Sequence, residues 1–182
     1  MNQERETRFF AFVPFLAFAC LLIALVMVMQ KRPSQGKDRE MSSHKGFATA
    51  LDCMDGRTKE AVIRYMKSRY SVRFVDFPTD AGTDKVLADC TDICGVEKLK
   101  KLVGISVHDH GSCIVAIIGH EECAGNPASK DEQIKHLQKA KETVESFGFD
   151  VDIVLLWVEP IGEDDWENAT VEEIELDPVP VQ

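Results

Sequence analysis

Two short stretches carry residue types that can do chemistry. "CMDGR" places Cys53, Asp55 and Arg57 at alternate positions, and "GHEECAGN" places His120 and Cys123 in a His-x-x-Cys spacing. Two thiolates and one imidazole form a donor set suited to zinc, and three protein ligands leave the fourth tetrahedral position for water, the arrangement of a catalytic rather than a closed structural site. Bound zinc brings the pKa of that water to about 7, so a zinc-bound hydroxide nucleophile exists at neutral pH. Asp55 can take the fourth position itself or accept the hydroxide's hydrogen bond. Arg57 can hold the carboxylate with two parallel hydrogen bonds and orient it beside the metal instead. Taken singly, each residue has a plainer reading: a buried cysteine, a hydrogen-bonded histidine at a strand end, or a turn ion pair.

The two stretches act together only if the fold brings them to one place. Each follows an apolar run, 47–53 in the first case and 114–119 in the second, and both runs read as strands. Further strands are expected over 73–77 and 151–158, and helices over 58–70, 84–110 (one or two) and 129–147. The last helix is well marked: Ser129 and Glu132 make a capping box, Ile134, Leu137, Ala140, Val144 and Phe147 share a face, and Gly148 ends it. Strands without alternation, separated by helices, predict an α/β fold with a parallel four-stranded sheet flanked by helices. In such sheets ligands gather beyond the carboxyl ends of the strands, where the winding reverses. If the first and third strands are neighbours, Cys53, His120 and Cys123 converge there.

Other candidates carry less. Cys90 and Cys94 read as helix packing, Cys113 as core, and His108 and His110 as a solvated helix end with a proton-relay alternative. Glu121 and Glu122 read as exposed with a supporting role as the alternative, His44 as part of a linker, and His136 as an exposed helix face.

The remainder of the 182-residue chain sorts by composition. Residues 9–29, after a short flank at 1–8, contain no charge and are long enough to cross a bilayer as one helix. A cleaved signal peptide is the rival reading. Lys31, Arg32, Lys37, Arg39 and Lys45 outnumber Arg5 and Arg8, which orients a single-pass anchor with the globular part in the cytoplasm. Residues 30–45 read as a polar linker, 46–160 as one zinc-binding α/β domain, and 161–182 as an acidic tail in which Trp166 and residues 171–176 could add an edge strand or a dimer contact. Net charge is −10, with nine acidic and no basic residues in 159–182. No basic stripe with interleaved aromatics is present, which argues against nucleic acid as a partner.

With Cys53-x-Asp55-x-Arg57 and His120-x-x-Cys123 in this order after the first and third strands, the sequence over roughly 47–159 resembles the β-class carbonic anhydrases. The resemblance implies a zinc ion held by Cys53, His120 and Cys123, and an Asp55–Arg57 dyad that gates the fourth position. It implies reversible hydration of carbon dioxide to bicarbonate, and a homodimer. Ala124-Gly125-Asn126-Pro127 stands where the family commonly has Gly-Gly after the second cysteine, and only Ala81-Gly82 matches its Arg-Asn-Ala-Gly-Asn run. The same residues also admit a hydrolase of another small electrophile such as carbon disulfide, or a non-catalytic membrane-tethered zinc-binding or thiol-sensing module.

Overall fold

A computed structural model describes residues 46–175. The expected anchor, the linker with His44, and the last seven residues of the acidic segment lie outside the described residues. Among the described residues no helix is long and apolar enough to cross a membrane.

In chain order the elements are β1 (Phe47–Cys53), a 3₁₀ turn (Gly56–Thr58), α1 (Lys59–Tyr70), β2 (Phe74–Asp76), β3 (Thr79–Asp80), α2 (Thr83–Asp89), α3 (Ile93–His108), β4 (Ile114–His120), α4 (Lys130–Ser146), β5 (Asp152–Ile161) and β6 (Asp165–Glu173). They build a six-stranded sheet in the order β2-β1-β4-β5-β6, with β3 also paired to β1. The β1–β2, β1–β4 and β4–β5 pairs are parallel, whereas β5 and β6 run antiparallel. The expectation of a purely parallel four-stranded sheet is therefore corrected to a mixed one. The added edge comes from the segment read mainly as an acidic tail: 165–173 sets buried Trp166 and Ala169 among exposed polar residues, the carboxylates of Asp165, Glu167 and Glu172 included, which suits a partly covered edge strand.

Winding leaves β1 first toward β2 and then returns on its other side through β4, so the reversal lies between β1 and β4. Residues of alternate parity on each strand feed two cores. Ala48, Ala50, Ala116, Ile118, Leu156 and Val158 pack on one face with Ala61, Val62 and Met66 of α1 and with Trp166. Leu51, Val115, Ile117 and Leu155 pack on the other with Leu87, Leu99, Val103 and Leu137 from α2, α3 and α4. Covering both faces is what lets the central strands be apolar throughout.

Residues 84–110 form two helices. α2 stops where Cys90 adopts the left-handed conformation at φ 50°, and Asp92 then caps α3 by accepting a hydrogen bond from Gly95 N. Cys90 and Cys94 thus sit at a helix junction, exposed, and not in the helix packing expected of them. Ser129 caps α4 as its spacing indicates, accepting from Glu132 N at 3.4 Å, while the Glu132 carboxylate turns to Lys135. His110 meets Asp76 at 2.7 Å, level with Thr49 toward the amino-terminal end of β1, away from Cys53.

Candidate metal centre

Cys53 is the last residue of β1 and His120 the last of β4, and Cys123 follows in the turn after β4. All three are buried. The β1–β4 pairing places their two strand ends side by side, and the three potential ligand atoms lie within 4.8 Å of one another. Asp55 is outside that group. Its carboxylate is held back by Arg57, which donates from Nε to Oδ1 and Oδ2 at 3.2 and 3.1 Å, from Nη2 to Oδ2 at 2.8 Å and from its own backbone N to Oδ1 at 3.0 Å.

Two observations test whether a metal ion fits. The Cys53 and Cys123 sulfurs are 3.7 Å apart, and a tetrahedral ion with bonds of about 2.3 Å to each would separate them by about 3.8 Å. His120 Nδ1 lies 2.8 Å from the carbonyl oxygen of Glu121 and is the protonated nitrogen in that contact. This leaves Nε2 buried with no hydrogen-bond partner, a cost that a ligated ion removes. The donor set fits zinc.

The three groups of the cluster shift in different directions. The Cys53 thiol falls to about 3, first because the Cys123 thiol donates to it, against the opposing cost of burial, with further help from His120 and the Gly82 amide. Cys123 moves up, because it is the donor in that contact and is buried. Burial would lower His120, but the neighbouring Cys53 sulfur outweighs it and the imidazole rises. Asp55 falls chiefly through the hydrogen bonds from Arg57.

Several supporting residues were not legible as such. Gly82 N donates to the Cys53 sulfur at 3.5 Å. Asp52, fully buried, accepts from Thr58 Oγ1 and Lys59 Nζ, both at 2.8 Å, and Lys59 also donates to the Cys53 carbonyl. A carboxylate inside the apolar run "FATALDC" was the available signal. Gln133 donates to the His120 carbonyl at 3.1 Å; its hint was a polar residue four before Leu137 on the apolar face of α4. His136, read as exposed, has a side chain only 13% exposed, and its Nδ1 lies 3.0 Å from Asn126 Nδ2. Asn126 also donates to the buried Asp84 at 2.6 Å. Glu121 and Glu122 are exposed as expected, yet Glu122 also binds Arg57.

Solvent reaches the dyad through an open cleft of about 690 Å³ whose walls include Asp55, Arg57, Glu60 and Trp166. Fold and site together define an α/β protein with a buried thiol–imidazole cluster, suited to one transition-metal ion, at the carboxyl ends of adjacent parallel strands. The chain belongs to the family described as "Putative carbonic anhydrase", which matches residues 43–172. Among solved structures it is similar to the β-carbonic anhydrase isoform I of the protozoan Trichomonas vaginalis, at 16% identity, covering 88% of this chain and 96% of that one with a TM-score of 0.37. It is also similar to the β-carbonic anhydrase CafA of the fungal pathogen Aspergillus fumigatus, at 13% identity, covering 90% and 92% with a TM-score of 0.38. No curated protein matches the sequence.

Proposed function

We propose that this chain is a zinc-dependent, β-class carbonic anhydrase that interconverts carbon dioxide and bicarbonate, with Cys53, His120 and Cys123 as ligands and Asp55 and Arg57 as the dyad beside them. The observation that carries the reading is the buried cluster itself, three donor atoms within 4.8 Å with His120 Nε2 unpartnered, in a chain of this family. Zinc, when bound, supplies a Lewis acid that makes water a nucleophile near neutral pH. The chain supplies the rest. The Glu121 carbonyl fixes the His120 tautomer, so that Nε2 presents its lone pair to the cluster. Arg57 spends its Nε and one Nη2 donor on Asp55, which keeps the carboxylate ionised, an acceptor only, and turned from the cluster. From there Asp55 would accept a hydrogen bond from the nucleophile that the metal supplies and orient it toward carbon dioxide. The cleft at Asp55 and Arg57 gives carbon dioxide entry and bicarbonate exit.

The test is metal analysis of the full chain with stopped-flow hydration of carbon dioxide. One zinc per chain and hydration above the buffer rate, lost in His120→Ala, are expected. Zinc at one per chain without hydration would instead favour the non-catalytic thiol-sensing module, for which the 3.7 Å sulfur contact is the supporting observation. Residues 9–29 are proposed to anchor the domain on the cytoplasmic side of a membrane, and the active form is proposed to be a homodimer. Extraction from membranes by alkaline carbonate and sedimentation in detergent examine these two points.

A further inference from the structure

Arg57 has more partners than holding Asp55 requires. Beyond the two donors on Asp55, Nη1 donates to Glu122 Oε2 at 3.0 Å and Nη2 reaches the Glu122 carbonyl at 3.5 Å. The guanidinium lies over the Trp166 ring, with Cζ 4.3 Å from its centre. Trp166 is 8% exposed, and its ring meets that of His120 edge to face, 6.3 Å between centres at 80°. Glu122 makes its contacts from a left-handed backbone, φ 54°, which is unfavourable for a residue with a Cβ. Three separate segments therefore converge on one side chain: the turn after β1, the turn after β4, and β6.

An arginine two residues from a carboxylate and partly in solvent has many rotamers, and an exposed ion pair alone restrains it weakly. Glu122 fixes the far end of the guanidinium, and Trp166 holds it from one side by a cation–π contact. We propose that Glu122 and Trp166 are positioning residues that lock Arg57 onto Asp55, so that the carboxylate stays clear of the Cys53–His120–Cys123 cluster and an exogenous ligand keeps access to it. This rests on the metal-site reading above. Without the lock, Arg57 is free to swing into the open cleft, and Asp55, two residues from Cys53, can turn toward the cluster and compete with incoming ligands.

The test uses the full chain loaded with cobalt, whose visible spectrum reports azide binding, together with the NMR signal of the Arg57 Nε–H in metal-free protein. Wild type is expected to show a protected Arg57 Nε–H and azide binding. Glu122→Gln and Trp166→Leu should each lose that protection and weaken azide binding by about tenfold, the low end for residues that orient a metal site. Trp166→Phe, which keeps an aromatic face, should recover most of the loss, and in an Asp55→Ala background the effect of either substitution should disappear. Unchanged azide affinity and Arg57 protection in Glu122→Gln overturn the proposal, as does a loss that persists without Asp55. Glu122 is exposed, so this variant decides the matter even if Trp166→Leu fails to fold. Failure of the wild-type chain to take up cobalt overturns the metal-site reading itself, and this inference with it.

Discussion

In the metal-free chain Cys53 carries the negative charge of the cluster, Cys123 keeps its proton, and His120 is biased toward its protonated form by the sulfur beside it. Zinc needs both thiolates and a neutral imidazole. Its uptake near neutral pH is therefore expected to release at least one proton per ion, from Cys123, and more as pH falls and His120 is protonated as well. Calorimetry in buffers of different ionisation enthalpy measures that number, and a value near zero would contradict the charge assignment. Asp55 makes a second prediction. Its folded pKa lies below the unfolded value, so its contribution to stability is fully present above about pH 4 and is lost as pH falls through the lower, folded value. The stability difference between wild type and Asp55→Asn, followed by urea unfolding of metal-free protein, should be constant above about pH 5 and shrink below it. At this scale the Cys53–His120–Cys123 grouping and the Asp55–Arg57 ion pair were legible, because their types and spacings are chemical statements in themselves. Glu122 and Trp166 were not legible as partners of Arg57, because nothing in a local pattern says which exposed acid or which distant ring a guanidinium will meet.

Elements place those residues through contacts of the chain with itself. The loop between β3 and α2 and the turn after β4 approach so closely at Gly82 and Gly125 that a Cβ on Gly125 would stand 2.3 Å from the carbonyl carbon of Ala81 and 2.4 Å from Gly82 N. Neither obstacle is a flexible side-chain end, so backbone must move. Gly125→Ala is expected to destabilise the protein by roughly 3 kcal/mol and to weaken zinc binding, since these two segments hold Cys123 and the amide that faces Cys53. Gly148→Ala makes the control: a Cβ meets nothing within 4 Å there, and only the left-handed backbone, φ 79°, is penalised, at about 1 kcal/mol with zinc binding intact. Denaturant unfolding with a zinc titration separates the two outcomes. Most elements were legible from apolar runs and caps. The two-residue β3 was not, being too short to show a period, and although 84–110 was read as one or two helices, the place of the break at Cys90 was not marked, because nothing there resembles the usual glycine stop.

Across the described residues, the sheet holds two cores on its faces and the Cys53–His120–Cys123 cluster at the end where β1 and β4 reverse the winding. The cluster joins residues 70 positions apart, so an ion bound there would cross-link the centre of the fold. Chelation of zinc is expected to lower the melting temperature of the full chain by on the order of 10 °C, with recovery on adding zinc. Differential scanning calorimetry with and without chelator measures it, and no shift would mean that the cluster binds too weakly to matter for the fold. β6 contributes at this scale too. Tyr65 and Tyr70 of α1 both donate to Glu173 Oε2, at 2.8 and 3.0 Å, so the segment that brings Trp166 over Arg57 is tied to the helix beneath it.

The two thiols and the imidazole, the Asp55–Arg57 pair, the α/β alternation and the strand ends that carry them were readable from the chain alone, because each of these follows from residue type at short range. Only the tertiary structure decided that β1 and β4 are neighbours, that the sulfurs stand at a metal-sized separation, and that an acidic segment turns back as the antiparallel edge strand carrying Trp166. Those outcomes depend on which surfaces meet after the chain collapses. A one-sided edge strand rich in carboxylates looks like a solvated tail until the apolar face it covers is in place.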